Sequence, residues 1–142
     1  MTISARNVFK GQVTDMKEGP INAEVEITTD GGDKIVAMLT EGSVKSLGLA
    51  KGSEAVAVVK TPWVILLSGP PEYRFSARNQ LSGKVRDLVK GAVNCQVNVT
   101  LAGGSAVSAM ITNAAATEMG LTEGTPVVAL FKASHVLVGV PA

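Results

Sequence analysis

An all-β chain of two tandem OB-like, five-stranded Greek-key barrels, each with one short helix, is the architecture this sequence predicts, on three observations. The 142 residues repeat themselves without a gap at a constant offset of 72. Each copy contains runs in which every second residue is apolar, the period of a half-buried strand. Fifteen glycines and six prolines punctuate those runs, and aromatic residues make up only 4% of the chain. Valine, isoleucine, leucine and alanine must therefore fill the interior between tight turns.

Repetition comes first because it governs every later assignment. Ser4-Ala5-Arg6-Asn7 returns as Ser76-Ala77-Arg78-Asn79, and the same offset takes Gly11 to Gly83, Val13 to Val85, Asp15 to Asp87 and Gly19 to Gly91. The match continues through Gly31-Gly32/Gly103-Gly104, Ala37-Met38/Ala109-Met110, Thr40/Thr112 and Lys60/Lys132 to Val64/Val136. A register of this length identifies a duplication. It divides the chain into residues 1–68 and 75–142, with a linker at 69–74 whose Pro70 and Pro71 stiffen it into one rigid unit with its neighbours.

Within a copy, Ile21, Ala23, Val25 and Ile27 alternate with polar residues, as do Val93, Cys95, Val97 and Val99. Cys95 falls on the inward face and is expected to be a buried, structural thiol. Asp30-Gly31-Gly32-Asp33 and Ala102-Gly103-Gly104-Ser105 read as tight turns, followed by strands over 34–40 and 106–112. A short helix fits residues 43–47, with Ser43 as N-cap and Gly48 as terminator, and its counterpart runs from Ala115 to Met119. Strands near 55–60 and 63–67 close the copy. Five strands with a helix after the third give the OB-like topology.

Composition narrows the function classes. There is no signal-peptide pattern and no apolar run long enough to span a bilayer, so a cytoplasmic protein without membrane attachment is expected. One cysteine and one histidine, His135, exclude a disulfide within the chain and a Cys/His metal cluster. The counterpart of His135 is Trp63, which suits a packing or surface role for the histidine better than a catalytic one. Phosphate loops and dinucleotide fingerprints are absent, no acid–base pair recurs in both copies, and no enzyme is expected. Asp15 and Asp87 recur, as turn or surface residues. A net charge of +1 and five aromatic residues argue against a single-stranded nucleic-acid groove.

What recurs without a need for burial is a set of donors. Ser4-Ala5-Arg6-Asn7 and its copy supply a hydroxyl, a guanidinium and backbone N–H groups within four residues, and Lys60 and Lys132 end apolar strands. Thr40 and Thr112 precede the helices, whose first N–H groups are free. Such a set suits an oxyanion. Turn hydrogen bonds for Ser and Asn, a solvated Arg and an edge lysine are the plainer alternative.

Thr2-Ile3-Ser4-Ala5-Arg6-Asn7 with Gly11-Gln12-Val13, its second copy Phe75-Ser76-Ala77-Arg78-Asn79, Ala37-Met38-Leu39-Thr40 and Val58-Val59-Lys60-Thr61-Pro62-Trp63 together resemble the molbindins in their duplicated form. That family binds molybdate and tungstate. The resemblance implies OB-like domains in a pseudo-sixfold ring, here a homotrimer, with anion sites between domains and no protein ligand directly on the metal. Ser4, Ala5, Arg6, Lys60 and Thr61 would form one wall, and Thr40 and Ser43 of a neighbouring domain the other. In the second copy the roles fall to Ser76, Ala77, Arg78, Lys132 and Ala133, facing Thr112 and Ala115. The hydroxyls of Ser43 and Thr61 are missing there. Sites on the threefold axis would use Gly19, Pro20 and Ile21, and Gly91, Ala92 and Val93; Pro20 lacks an N–H. No cofactor is implied beyond the anion. With neither a DNA-binding nor a transporter-ATPase extension in the sequence, storage or buffering of the anion is expected. Binding of the pterin molybdenum cofactor is the nearer alternative, and nucleic-acid binding the more distant.

Overall fold

The computed structural model describes residues 1–142, in the order β1 (Asn7–Glu18), β2 (Asn22–Thr29), β3 (Lys34–Thr40), α1 (Glu41–Leu47), β4 (Glu54–Val59), a 3-10 turn (Thr61–Trp63) and β5 (Ile65–Ser68). The second copy follows as β6 (Asn79–Lys90), β7 (Asn94–Leu101), β8 (Ala106–Thr112), α2 (Asn113–Glu118), β9 (Pro126–Phe131), a 3-10 turn (Ala133–His135) and β10 (Leu137–Gly139). The architecture is the expected pair of OB-like units.

Long β1 serves two partners. Its first half pairs antiparallel with β4 and its second with β2. A register shift between Val13 and Asp15 bends it between the two, and β6 has the same shift between Val85 and Asp87. Gly11 sits where the strands cross closely: a Cβ there would collide with the carbonyl of Thr28. The helices begin earlier than expected. Thr40, not Ser43, is the N-cap of α1, its hydroxyl accepting the Ser43 N–H at 3.1 Å, and Thr112 caps α2 by accepting from Ala115. Gly48 ends α1 in the left-handed region at φ 62°.

The fifth strand is where the sequence expectation fails. The residues expected to close each copy close the other one instead. One sheet has the order β10-β4-β1-β2-β3 and the other β5-β9-β6-β7-β8. Ile65–Ser68 pairs with Val127–Leu130, and Leu137–Gly139 with Val56–Val58. The physical reason lies in the connection. Residues 60–64 do not reverse as a hairpin; they form a 3-10 turn that packs against β8 of the other copy, and its partner turn packs against β3. Trp63, expected inside the last strand, lies in this turn and stacks on His135 with ring centroids 4.3 Å apart. Of the packing or surface role expected for His135, the stack on Trp63 is packing. Repeat boundary and sheet boundary do not coincide.

The interior is accordingly continuous. One cluster of 27 buried residues contains members of both copies, among them Val25, Ile35, Val97, Val107 and Phe131, with Cys95 fully buried inside it. Polar clips reinforce the junction. Asn7 is 1% exposed; its Nδ2 donates to the carbonyl of Ser108 at 2.8 Å and its Oδ1 accepts the Ser108 N–H at 2.7 Å. Asn79 clasps Val36 in the same way, both bonds at 2.8 Å. Asp33 of the first copy accepts from the N–H groups of Gly103 and Ser105 in the second, at 2.8 and 3.1 Å.

Candidate functional site

The Asn7↔Val59 pair fixes the surroundings of the first Ser-Ala-Arg segment. Ser4, Ala5 and Arg6 lead into β1 at that point, and Lys60 and Thr61 leave β4 there. In the second copy Asn79↔Phe131 places Ser76, Ala77 and Arg78 beside Lys132 and Ala133. In both copies the pairing of the first strand with the fourth brings these two chain segments to the same end of the sheet. Ser4, Arg6, Lys60, Ser76, Arg78 and Lys132 are exposed, Ala5, Thr61 and Ala77 half-buried, and Ala133 buried. Ala133 can contribute backbone only.

Ser76, Ala77 and Lys132 share a groove of about 360 Å³. Its other lining is mostly apolar, with Trp63, Phe75, Leu130 and Phe131 among it. Arg78 does not point there. Its Nη2 donates to Oε1 of Glu24, on the other copy, at 2.9 Å. The remaining salt bridge joins Arg86 to Asp87, so Arg6, Lys60 and Lys132 have no carboxylate partner.

The remaining candidate residues lie at the helix caps. Thr40 Oγ1 accepts from Ser43 N–H and donates its own proton to Ser43 Oγ at 3.0 Å, leaving the Ser43 hydroxyl proton free. In the second copy Ala115 has no hydroxyl, and the Thr112 proton has no such acceptor. Each cap therefore offers one free O–H, and the lost serine does not lower the donor count. Both caps adjoin the axial candidates, because Glu41 N–H donates to the carbonyl of Ile21, and Asn113 N–H to that of Val93.

In those turns the N–H groups of Gly19 and Gly91 are bonded to the carbonyls of Asn22 and Asn94, at 2.9 and 2.7 Å. Ile21 is left as the one unbonded N–H in the first turn, since Pro20 has none; Ala92 and Val93 supply two in the second. The neighbouring helix residue also differs. Glu41 and Asn113 each carry a buried side-chain oxygen without a hydrogen-bond partner, but that of Glu41 belongs to a carboxylate, and only Asn113 also donates, to the carbonyl of Gly91 at 2.9 Å.

Two functional features escaped the sequence reading. The asparagine of the Ser-Ala-Arg-Asn signature is a clip between copies, legible only as a polar residue recurring at the first position of an apolar-alternating strand. Glu24 shows in the sequence solely as a mismatch with Gln96.

Duplicated OB-like units with matched polar walls define the class: a tandem TOBE-domain protein. Residues 3–66 and 76–138 each match the TOBE domain, and the chain belongs to that family. Within it the chain is a molbindin of the duplicated type. It is 39% identical over 141 residues to the molybdenum-pterin-binding protein MopA of Rhodobacter capsulatus, covering 99% of this chain and 53% of that one. It is 39% identical to the molybdenum transport protein ModE of Azotobacter vinelandii, covering 99% and 52%. The chain thus spans about half the length of these relatives. Molybdenum-pterin-binding protein 1 of Clostridium pasteurianum, 44% identical, is covered completely by 48% of this chain. Among solved structures, a cytoplasmic molybdate-binding protein ModG superposes with a TM-score of 0.94 at 52% identity, over 99% of this chain and 100% of that one. No helix is long and apolar enough to cross a membrane.

Proposed function

We propose that the chain is a cytoplasmic binding protein for molybdate or tungstate, serving storage or homeostasis of the anion, with its sites between domains of a homotrimer. The observation that carries this reading is the side-by-side placement, in both copies, of a Ser-Ala-Arg segment and a lysine at the end of the fourth strand. The 52% identity to a molybdate-binding protein supports it. Ser4, Ala5, Arg6, Lys60 and Thr61 form one wall and Ser76, Ala77, Arg78, Lys132 and Ala133 its copy. The caps at Thr40/Ser43 and Thr112/Ala115 face them from neighbouring domains.

The selectivity follows from donors. Molybdate is a tetrahedral dianion without a proton at neutral pH, and a wall of N–H, O–H and ammonium groups satisfies every oxygen. Hydrogen phosphate brings a proton that needs an acceptor. Charge-assisted hydrogen bonds contribute roughly 1.5–3 kcal/mol each, so a few outweigh desolvation of the ion. Sulfate matches in charge and shape, and only the size of the site discriminates against it. Native mass spectrometry and calorimetry with molybdate, repeated against excess sulfate, test the reading. A trimer that takes up molybdate in preference to sulfate is expected; a monomer indifferent to molybdate would overturn it.

The groove beside Ser76 and Lys132 favours a second reading. Its apolar walls with Trp63 and Phe75 suit a planar ring, with Lys132 facing an anionic tail, the chemistry of a pterin molybdenum cofactor. Quenching of Trp63 fluorescence by a pterin, undisturbed by molybdate, would favour this reading over the first.

A further inference from the structure

The two arginines of the repeated signature occupy unequal electrostatic surroundings. Asn79 clamps the second segment onto Val36 of β3, which sets Arg78 over the outer face of β2. There Glu24 meets it at 2.9 Å, and Asp15 and Glu26 line the same depression together with Lys17. Asn7 clamps the first segment onto Ser108 in the same manner. The position that matches Glu24 in the second copy is Gln96, a neutral amide that already donates to Oδ1 of Asn98 at 3.0 Å. Arg6 lines a different depression, with Lys10 and Asp30, and makes no salt bridge there. Position 98 is likewise an amide where the first copy has Glu26.

We infer that Glu24 is a built-in competitor for Arg78, which makes the site on Ser76-Ala77-Arg78 the weaker of two classes and lets the Ser4-Ala5-Arg6 sites fill first. The inference rests on the oxyanion reading above. An anion recruiting Arg78 must displace a carboxylate that already satisfies the guanidinium, whereas Arg6 has no ion pair to break. Both partners of the pair are partly exposed, with side-chain accessibilities of 53% and 32%, so the handicap is modest and falls with added salt.

Calorimetric titration of the intact protein with molybdate at low ionic strength reads this directly, with Arg6→Gln and Arg78→Gln variants assigning the two binding phases. Glu24→Gln is expected to tighten the weaker phase by about two- to fivefold, the range of an exposed ion pair, and to leave the stronger phase unchanged. Gln96→Glu is the reciprocal test and is expected to weaken the stronger phase by a similar factor. Restoring 150 mM salt should shrink both effects, as screening over about 8 Å requires. Glu24→Gln and Gln96→Glu titrations that superpose on the wild type would overturn the inference while leaving molybdate binding intact. A wild type that takes up no molybdate would instead overturn the reading beneath it.

Discussion

Asn7 and Asn79 show how much a single polar side chain decides here. Each is buried and satisfies a backbone N–H and a carbonyl of the other copy, as a neighbouring strand would. Asn7→Ala or Asn79→Ala leaves both groups unpaired in a half-buried place, which is expected to cost about 2–4 kcal/mol in urea unfolding of the ligand-free chain. A loss below roughly 0.5 kcal/mol would mean that water replaces the amide. Asp87 gives a pH-dependent prediction. The side-chain amide of Asn98, then Arg86, hold its carboxyl below the ordinary 3.8. A depressed folded-state value stabilises the fold above 3.8 and loses that contribution as the pH falls through the lowered value. Asp87→Asn removes the titration. Wild-type stability should therefore fall more steeply than that of the variant below about pH 4, with parallel curves above about pH 5; parallel curves throughout would count against the coupling.

At the scale of elements, the caps and the turns beside them carry two further expectations. Thr40→Ala and Thr112→Ala each remove an N-cap and should cost about 1 kcal/mol by chemical denaturation. For the proposed anion, Ser43→Ala should be nearly silent, because it frees the Thr40 proton now donated to Ser43. Thr112→Ala has no such reserve and should weaken binding several-fold; equal losses in the two variants would refute this sharing of donors. The first axial turn lacks a donor at Pro20 and is bonded, through the carbonyl of Ile21, to Glu41, whose carboxylate has an unpaired oxygen. A Pro20→Ala, Glu41→Asn double variant should add anion equivalents to the trimer in native mass spectra, whereas an unchanged count would show that this turn takes no anion. Most elements were legible in the sequence because period, glycines and repeat agreed on them. The helix starts were not: Thr40 and Ser43 are both competent caps, and only the chain direction leaving β3 chooses between them. The walls were legible as recurring donors, but the pairing of Arg78 with Glu24 joins residues 54 positions apart and depends on how the copies dock.

The exchange of the fifth strands belongs to the whole molecule, and duplication itself hides it. β5 and β10 occupy matching registers, Ile65↔Leu130 and Leu137↔Val58, so either strand satisfies either sheet. Sequence pattern cannot separate the two pairings; the 3-10 turns decide, since they carry the chain across and bury Val64 and Val136 in the shared core. Retaining such residues against water loss is worth roughly 1.5–3 kcal/mol apiece, and Leu66 goes with them. The copies should then behave as one folding unit joined by more than the linker, whose residues 69–74 are all exposed. Cutting the chain between Pro71 and Glu72 is expected to leave fragments 1–71 and 72–142 associated when produced together, with an unfolding transition close to that of the intact chain. Fragment 1–71 alone keeps an unpaired β4 edge and a fifth strand without a sheet, and the quickest remedy is the same exchange with a second copy of itself. Light scattering should find it dimeric or larger. A monomeric, fully folded fragment 1–71 would show that β5 can return to its own copy, and that the exchange is a choice of the turn and not a requirement of the sheet.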